Sequence, residues 1–149
     1  MHAIVEIEEG ALNVVVGERE GAIVRVVRSV RLPAPDLTSP TLTSLLRNGA
    51  REALHGVTAV HVVLGDRRIQ HFVSSTPRLA AQEAVAFVVR ESLRLTGMQA
   101  TSDTLVATRL VRVLPRNRLL LGTTAVARSV WESLRGAFEA VQCEVRGLY

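Results

Sequence analysis

The sequence predicts a mixed α/β fold of the α+β kind, in which a β-β-β-α-β half precedes a smaller β-α-β-β-α-β half. Three observations predict it. Runs rich in Val and Ile, separated by Gly-containing turns, open the chain. Three later stretches repeat apolar residues at helical spacing, and short β-branched runs follow them. With 149 residues, of which 48% are hydrophobic, the chain can form one domain or two small subdomains with a buried core.

The first three apolar runs predict an antiparallel meander. Glu9-Gly10 separates the first two runs, and a second Gly-flanked turn at 17–21 separates the next two. The predicted strands are residues 3–8, 11–17 and 21–32. Ser39-Pro40 then predicts a helix start, because Ser caps a helix well and Pro fits its first turn. Apolar residues at helical spacing extend this helix over 40–54.

The run at 57–64, VTAVHVVL, predicts a strand buried on both faces, because nearly all of its residues are apolar and many are β-branched. A strand reached through a helix is expected to lie inside the sheet, parallel to a neighbour. The segment Gly65-Asp66-Arg67-Arg68 follows it and is the predicted junction. We therefore divide the chain into residues 1–65 and residues 66–149.

The second half is predicted from the same signals. Residues 69–74 form a short strand, and Thr76-Pro77 begins a helix that continues to about residue 95. Two strands, a last helix and a closing strand complete an order that suits helices packed on one face of a small sheet. These elements span residues 104–114, 119–126, 127–140 and 143–148. The last helix is expected to bury Val130, Leu134, Ala137 and Phe138.

Composition excludes several chemistries. All 18 basic residues are Arg, so the chain has neither a P-loop Lys nor a Schiff-base Lys. Cys143 is the single cysteine, and the histidines have no metal-ligand spacing with it, so we predict no disulfide and no metal site. No apolar run reaches the roughly 20 residues of a membrane span, and the acidic N-terminal segment is unlike a signal peptide. These features predict a cytoplasmic protein.

The strand order of the first half is shared by ribonuclease H-like and actin-like domains. A ribonuclease H-like nuclease needs carboxylates that converge on divalent metal, which activates water for phosphodiester cleavage. Glu6, Glu52 and Asp66 stand at roughly the required places in the chain. Such sites usually favour Asp at the first position, and Glu52 comes late in its helix. The nuclease is therefore kept as an alternative to the actin-like interpretation.

A nucleic-acid-binding module is a further alternative of a different class. Arg25, Arg28 and Arg31 recur along the third predicted strand and would form a basic edge. The formal net charge is only +4, however, and no aromatic residue is interleaved with these arginines. Nucleic acid is therefore not the expected partner.

In actin-like proteins the first hairpin resembles Asp-x-Gly, small residues and then a basic residue. Laid on that pattern, EIEEGALNVV places Glu6 at the Asp, Glu8 at the Gly and Asn13 at the basic residue. A side chain at Glu8 blocks close approach of the backbone to phosphate, and Glu9 adds a second negative charge. We interpret Glu8, Glu9, Gly10 and Asn13 as a degenerate phosphate turn that binds no cofactor.

Two segments of the second half make the resemblance to actin-like proteins more specific. They read IQHFVSSTPRLAAQEAVAFVVRES and NRLLLGTTAVARSVWESLRGAFEAVQCEVRGLY. In this order the chain is similar to the PilM family of type IV pilus assembly and to its relative GspL of type II secretion. Ala140 and Val141 stand where those proteins commonly have an Ala-Gly turn. The resemblance covers nearly all of the chain and depends on element order and patterning.

The resemblance implies that residues 1–65 correspond to a subdomain 1A-like half and residues 66–149 to an inserted 1C-like subdomain with the closing strand. PilM-like proteins have two lobes with nucleotide between them, and this chain ends at Tyr149, about where the first lobe would end. We therefore expect a non-catalytic module without ATPase activity of its own.

The resemblance also implies a location and partners. Family members lie on the cytoplasmic face of the inner membrane, where they bind the cytoplasmic tail of an inner-membrane pilus or secretion protein, or the assembly ATPase. A groove between subdomains suits an extended peptide. Arg67, Arg68, His71 and Phe72, at the predicted junction, are the expected partner-binding residues. Homo-oligomer formation is left open.

Overall fold

The computed structural model describes residues 1–34, 39–65, 69–96 and 103–149. They divide into two compact units. The first comprises Met1–Arg67 with Val130–Tyr149, and the second comprises Arg68–Ser129. The last helix and closing strand therefore pack with the first unit, whereas the division made from the sequence grouped all of 66–149 together.

The first unit is built on a five-stranded sheet. Its strands are β1 (His2–Glu8), β2 (Gly10–Glu20), β3 (Ile23–Ala34), β4 (Ala59–Leu64) and β8 (Glu144–Leu148), in the spatial order β3-β2-β1-β4-β8. The first three strands pair antiparallel in succession, as the meander predicts. β4 pairs parallel with both β1 and β8, so its predicted place inside the sheet is confirmed.

One face of this sheet holds the core of the unit. From β3 to β4 and from β4 to β8 the chain moves in the same direction across the sheet, so right-handed connections place both helical segments on one face. β4 accordingly alternates between buried residues and half-buried ones such as His61 and Val63. The prediction that this strand is buried on both faces was therefore wrong. The neighbouring strand β1 agrees, since Ile4 on the same opposite face is half exposed. The buried side chains are Ala3, Val5, Ile7, Leu12, Val14, Val16, Val60 and Val62.

The helix predicted over 40–54 is shorter and changes its winding. It begins as α1 (Ser39–Ser44) and continues as a π-helical turn (Leu45–Gly49), after which turns lead to β4. The Ala50 amide donates to the Leu45 oxygen at 2.9 Å, five residues earlier, which is the π-type bond. Gly49 lies so close to Leu32 that an added Cβ would be 2.5 Å from its Cδ1.

The last helix, α3 (Arg128–Glu139), buries Leu134, Ala137 and Phe138, close to the predicted face. It ends in a left-handed residue, Gln142, with φ of 62°. The Cys143 amide donates to the Phe138 oxygen at 3.0 Å and the Gln142 amide to the Glu139 oxygen at 2.9 Å. This is the Schellman arrangement, which satisfies the last helical carbonyls before β8 begins.

The second unit is a three-stranded antiparallel sheet with a helix. Its elements are β5 (Ile69–Pro77), α2 (Ala81–Thr96), β6 (Thr104–Leu114) and β7 (Arg118–Ala127), with the strand order β5-β7-β6. α2 begins at Ala81 and not at Thr76-Pro77, because those two residues extend β5 and pair with Leu119 and Arg118. Proline is tolerated there since β5 is an edge strand.

Candidate functional site

The candidate site suggested by the sequence is the turn between β1 and β2. Glu8 and Ala11 are paired, so Glu9 and Gly10 alone form the turn. Gly10 has φ of 82°, a conformation that glycine adopts without the strain that a side chain causes. Apart from its two chain neighbours, no described residue has an atom within 4 Å of where its Cβ would be, so the requirement at this position is conformational and not steric.

The residues at the Asp and basic positions of the actin-like pattern are bonded to each other. Glu6 and Asn13 are direct partners across the β1–β2 pair, and the Asn13 amide donates to Glu6 Oε2 at 3.0 Å in a partly buried setting. The donor that would assist a phosphate is therefore engaged by a carboxylate of the same hairpin. A phosphate at this place would have to displace Glu6 and accept its negative charge as a neighbour.

The strand pairing between β2 and β3 places a cation, Arg31, close to this turn. It lies opposite Asn13 on the next strand, so its side chain stands on the same face as Glu6 and Asn13. Arg31 Nη2 is 3.8 Å from Glu8 Oε2, with the Arg31 side chain 72% exposed and the Glu8 side chain 40% exposed. The sequence analysis assigned Arg31 to a basic edge and missed this pairing. Finding the Arg31–Glu8 pair would have required the register between β2 and β3, which shifts between Val16 and Gly17.

The carboxyl ends of β1 and β4 meet beside the turn, as ends of parallel strands do. The Gly65 amide donates to the Ile7 oxygen at 2.9 Å, and a Cβ on Gly65 would lie 3.3 Å from Glu8 Cγ. Asp66, the third carboxylate of the nuclease alternative, lies outside the described residues.

Glu52 lies at the other end of the sheet. Arg28 donates to the Glu52 main-chain oxygen at 3.0 Å and contacts the Met1 sulfur at 2.9 Å, which places Glu52 near the start of β1. Glu6 is five residues further along that strand, about 17 Å at 3.3 Å per residue. Two carboxylates so far apart do not share one metal ion. Within the described ranges, no three His, Cys, Asp or Glu side chains are grouped as metal ligands would be.

The arginines of the nucleic-acid alternative are directed toward acceptors of this chain. Arg25 lies 3.8 Å from Glu18 and 3.6 Å from Glu20, and Arg28 donates to main-chain oxygens of the turn before β4. These contacts leave less unpaired charge along β3 than the sequence suggests. No observation in the described residues favours a nucleic-acid interface at β3.

The expected partner-binding residues fall on the second unit and on the junction. His71 is exposed on β5, and its Nδ1 is 3.0 Å from Thr124 Oγ1 on β7. Phe72 follows with its side chain on the opposite face, where it is half-buried. Arg67 and Arg68 lie outside the described residues. The structure therefore places His71 and Phe72 on different faces of one strand.

The face that carries His71 is open and partly apolar. Val73, two residues along β5, is 68% exposed, and Val111 on β6 is 52% exposed. Gly122 lies between them on β7, since it pairs with Val73 and a Cβ there would be 3.1 Å from Val111 Cγ2. An imidazole beside exposed valines on a flat sheet offers a polar and an apolar contact to an extended segment.

Comparison with solved structures shows the fold. The chain is similar to a PilM-PilN type IV pilus biogenesis complex, with 14% identity and a TM-score of 0.79, over 99% of this chain and 46% of that chain. It is similar to the cytoplasmic domain of EpsL, an inner-membrane component of the Vibrio cholerae type II secretion system, with 15% identity and a TM-score of 0.65, over 99% and 56%. It is also similar to a Bacteroides thetaiotaomicron protein with an actin-like ATPase fold and unknown function, with 10% identity and a TM-score of 0.54, over 99% and 51%.

These likenesses confirm the predicted actin-like α/β fold and, at the level of the fold, the resemblance to the pilus and secretion proteins. The chain spans about half the length of each of these structures. No family model matches it, and comparison with curated proteins gives no significant match. Among the described residues, no helix is both long enough and apolar enough to cross a bilayer.

Proposed function

We propose that this protein is a non-catalytic assembly module of a bacterial type IV pilus or type II secretion apparatus, which binds a cytoplasmic segment of an inner-membrane partner. The observation that carries the proposal is the fold. Two structures that it matches over 99% of its length are a pilus biogenesis complex and the cytoplasmic domain of an inner-membrane secretion component. Identity of 14–15% carries the fold alone, so the shared role is an inference.

The geometry of the β1–β2 turn supports the non-catalytic part of the proposal. Glu6, Glu8 and Glu9 bring three carboxylates to the hairpin, while Asn13 is neutral and already donates to Glu6. Each carboxylate about 4 Å from a phosphate oxygen would cost about 1 kcal/mol in water and about 4 kcal/mol near a protein surface. Arg31, bound loosely to Glu8, offsets one of the three charges.

The open face of the second unit supports a protein partner. A β5 edge strand with exposed Val73 and His71 can accept an extended peptide, whose main chain would pair with the strand while its side chains contact the face. Arg67 and Arg68 precede this strand in sequence and would add positive charge for an acidic tail. Phe72, half-buried on the other face, would act by holding β5 in place.

Copurification from the native cell in mild detergent, followed by mass spectrometry, tests the proposal. We expect inner-membrane pilus or secretion proteins to accompany the wild-type bait and to be reduced with His71→Ala/Val73→Ser. The matched control, His2→Ala/Val24→Ser, removes one exposed imidazole and one exposed valine from the first unit and should retain them. Recovery of unrelated proteins alone, or equal loss with both variants, would contradict the proposal.

Nucleotide binding tests the non-catalytic part separately. Isothermal titration of the purified chain with Mg-ATP is expected to give no binding tighter than about 100 µM, roughly −5.5 kcal/mol. Micromolar affinity that is lost in Asn13→Asp, which adds a further carboxylate to the hairpin, would show that the turn does bind phosphate.

A further inference from the structure

A basic concavity of about 680 Å³ lies in the first unit, away from the β1–β2 turn. Its walls are the π-helical turn with the turns that follow it, and the segment Ala140–Gln142 after α3. It opens beside Thr58, at the amino end of β4, whereas the β1–β2 turn lies beside Gly65 at the carboxyl end. β4 has six residues, so the two places are separated by about 20 Å along the strand.

The polar lining of this concavity carries positive charge. Arg47, Arg51 and His55 line it, together with the neutral amides of Asn48 and Gln142, and no Asp or Glu is among its lining residues. Arg47 donates to the Ala140 oxygen at 3.3 Å. Arg51 makes no hydrogen bond or ion pair with a described residue. Glu52 lines an adjoining hollow together with Arg28, Arg51 and His55. Glu139 and Glu144 line another hollow, which shares Thr58 and Gln142 with the concavity, and each has an arginine beside it.

Two unusual backbone features, a π-helical turn and a left-handed residue, lie at the same concavity. The π-helical turn presents Arg47 and Asn48, and such turns occur often at functional sites. Gln142 holds a left-handed conformation that a glycine would adopt with less strain. Residues held in sparsely populated backbone conformations cluster at active sites and ligand sites. Leu46 and Leu54 also line the concavity, where they are almost fully buried and form its apolar base.

We propose that this concavity binds an acidic, extended peptide segment of a partner protein. A volume of about 680 Å³ falls within the range of roughly 300–1,000 Å³ typical of ligand sites and is far larger than one phosphate requires. Arg47 and Arg51 are four residues apart and both line the concavity, which suits carboxylates spaced along a chain. Arginine is also the residue that binds carboxylates in bidentate fashion.

Charge complementarity favours a different molecule over a second copy of this chain. Many acidic side chains here already face an arginine of the same chain. They are Glu8, Glu18, Glu20, Glu91, Glu139 and Glu144. A second copy would therefore bring many of its carboxylates with an arginine already beside them, whereas an acidic segment of a partner carries charge that is not offset in this way.

Fluorescence anisotropy with the full chain tests this site without knowledge of the partner. The probe is a fluorescein-labelled peptide of alternating Glu and Ser, and the control peptide has Gln in place of every Glu. We expect the Glu peptide alone to bind, with a Kd at least about tenfold higher for Arg47→Gln/Arg51→Gln, because two charge-assisted bonds are lost. Arg51→Lys keeps the charge and should show a smaller loss.

The matched control is Arg112→Gln/Arg118→Gln, which removes the same charge from exposed positions of the second unit. It should change the Kd by less than about twofold, since neither side chain lines the concavity and exposed charges are screened by salt. Circular dichroism should show all variants folded, because Arg47, Arg51 and their controls are exposed. An equal loss with both double variants, or no binding of the Glu peptide, would overturn the proposal.

Two further experiments distinguish an acidic peptide from other ligands of this concavity. Displacement of the peptide by inorganic phosphate, but not by chloride at the same ionic strength, would assign the site to phosphate and overturn the peptide class. A concentration-dependent increase in mass that Arg47→Gln/Arg51→Gln abolishes would assign it to a second copy. The site belongs to the first unit, whereas His71 and Val73 belong to the second, so its failure would leave the copurification result of the proposed function unchanged.

Discussion

Replacement of Gln142 by glycine is expected to stabilise the protein. Gln142 ends α3 at φ of 62°, in the left-handed region, and its amide and that of Cys143 satisfy the last turn of the helix. Cys143 and Phe138, at the two positions that usually make the apolar contact of the Schellman motif, are both buried. Every part of the cap is therefore formed except the glycine that usually occupies this position.

The magnitude follows from two opposing terms. A left-handed conformation costs a residue with a Cβ about 1–2 kcal/mol, and glycine removes that cost. Glycine also loses about 0.5–1 kcal/mol more conformational entropy on folding. The net expectation is a gain of about 0.5–1 kcal/mol. At about 2.1 cal/mol/K per residue, 149 residues give an unfolding entropy of about 0.3 kcal/mol/K, so Tm should rise by about 2–3 °C.

Urea unfolding followed by the fluorescence of Trp131 measures this effect. Trp131 is the single tryptophan and lies on α3, so the signal reports on the unit that contains the cap. Gln142→Ala keeps the Cβ and is the control, with an expected change within about 0.5 kcal/mol. If the glycine variant were no more stable than the alanine variant, the strain at Gln142 would not be real.

Four other outcomes are expected, each measured by urea midpoint unless stated. Glu6→Ala should cost about 1 kcal/mol by leaving the Asn13 amide without its acceptor, and Glu6→Gln should cost less than half of that; equal losses would deny the bond a role. Gly10→Ala should cost about 1 kcal/mol from φ of 82° alone, and an unchanged midpoint would contradict this. Phe138→Ala should cost about 3–5 kcal/mol because the ring is fully buried, and a loss below about 1.5 kcal/mol would mean that the core collapses around the site. Burial raises the pKa of the Cys143 thiol, so stability should fall as pH rises above the ordinary thiol pKa. Iodoacetamide at pH 8 should also react far more slowly with native than with urea-unfolded protein, and equal alkylation rates would contradict the burial.

The sequence predicted the elements whose signals are local. The meander, the strand that ends at Leu64 and the last helix with Phe138 on its buried side were all found from apolar periodicity and turn composition. Their order was also enough to predict the actin-like fold, which the structural comparisons confirm. Period and turn chemistry are properties of a few consecutive residues, so one chain contains them in full.

The helix ends were less predictable. The pattern Thr76-Pro77 has the composition of a helix start, but pairing with β7 keeps those residues in a strand. Here a tertiary contact outweighs a weak local preference. The π-helical turn after α1 was not predicted either, and its Gly49 lies against Leu32 of β3.

By itself, the sequence determined the order of strands and helices, the absence of lysine chemistry and the charge of the β1–β2 turn. Only the tertiary structure decided which charges meet. It pairs Glu6 with Asn13, separates Glu6 from Glu52, and brings Arg47 and Gln142 to one concavity from positions 95 residues apart in number. The reason is physical: strand register and the hand of the connections are fixed by burial of one sheet face, a property of the packed chain that no local run of residues contains.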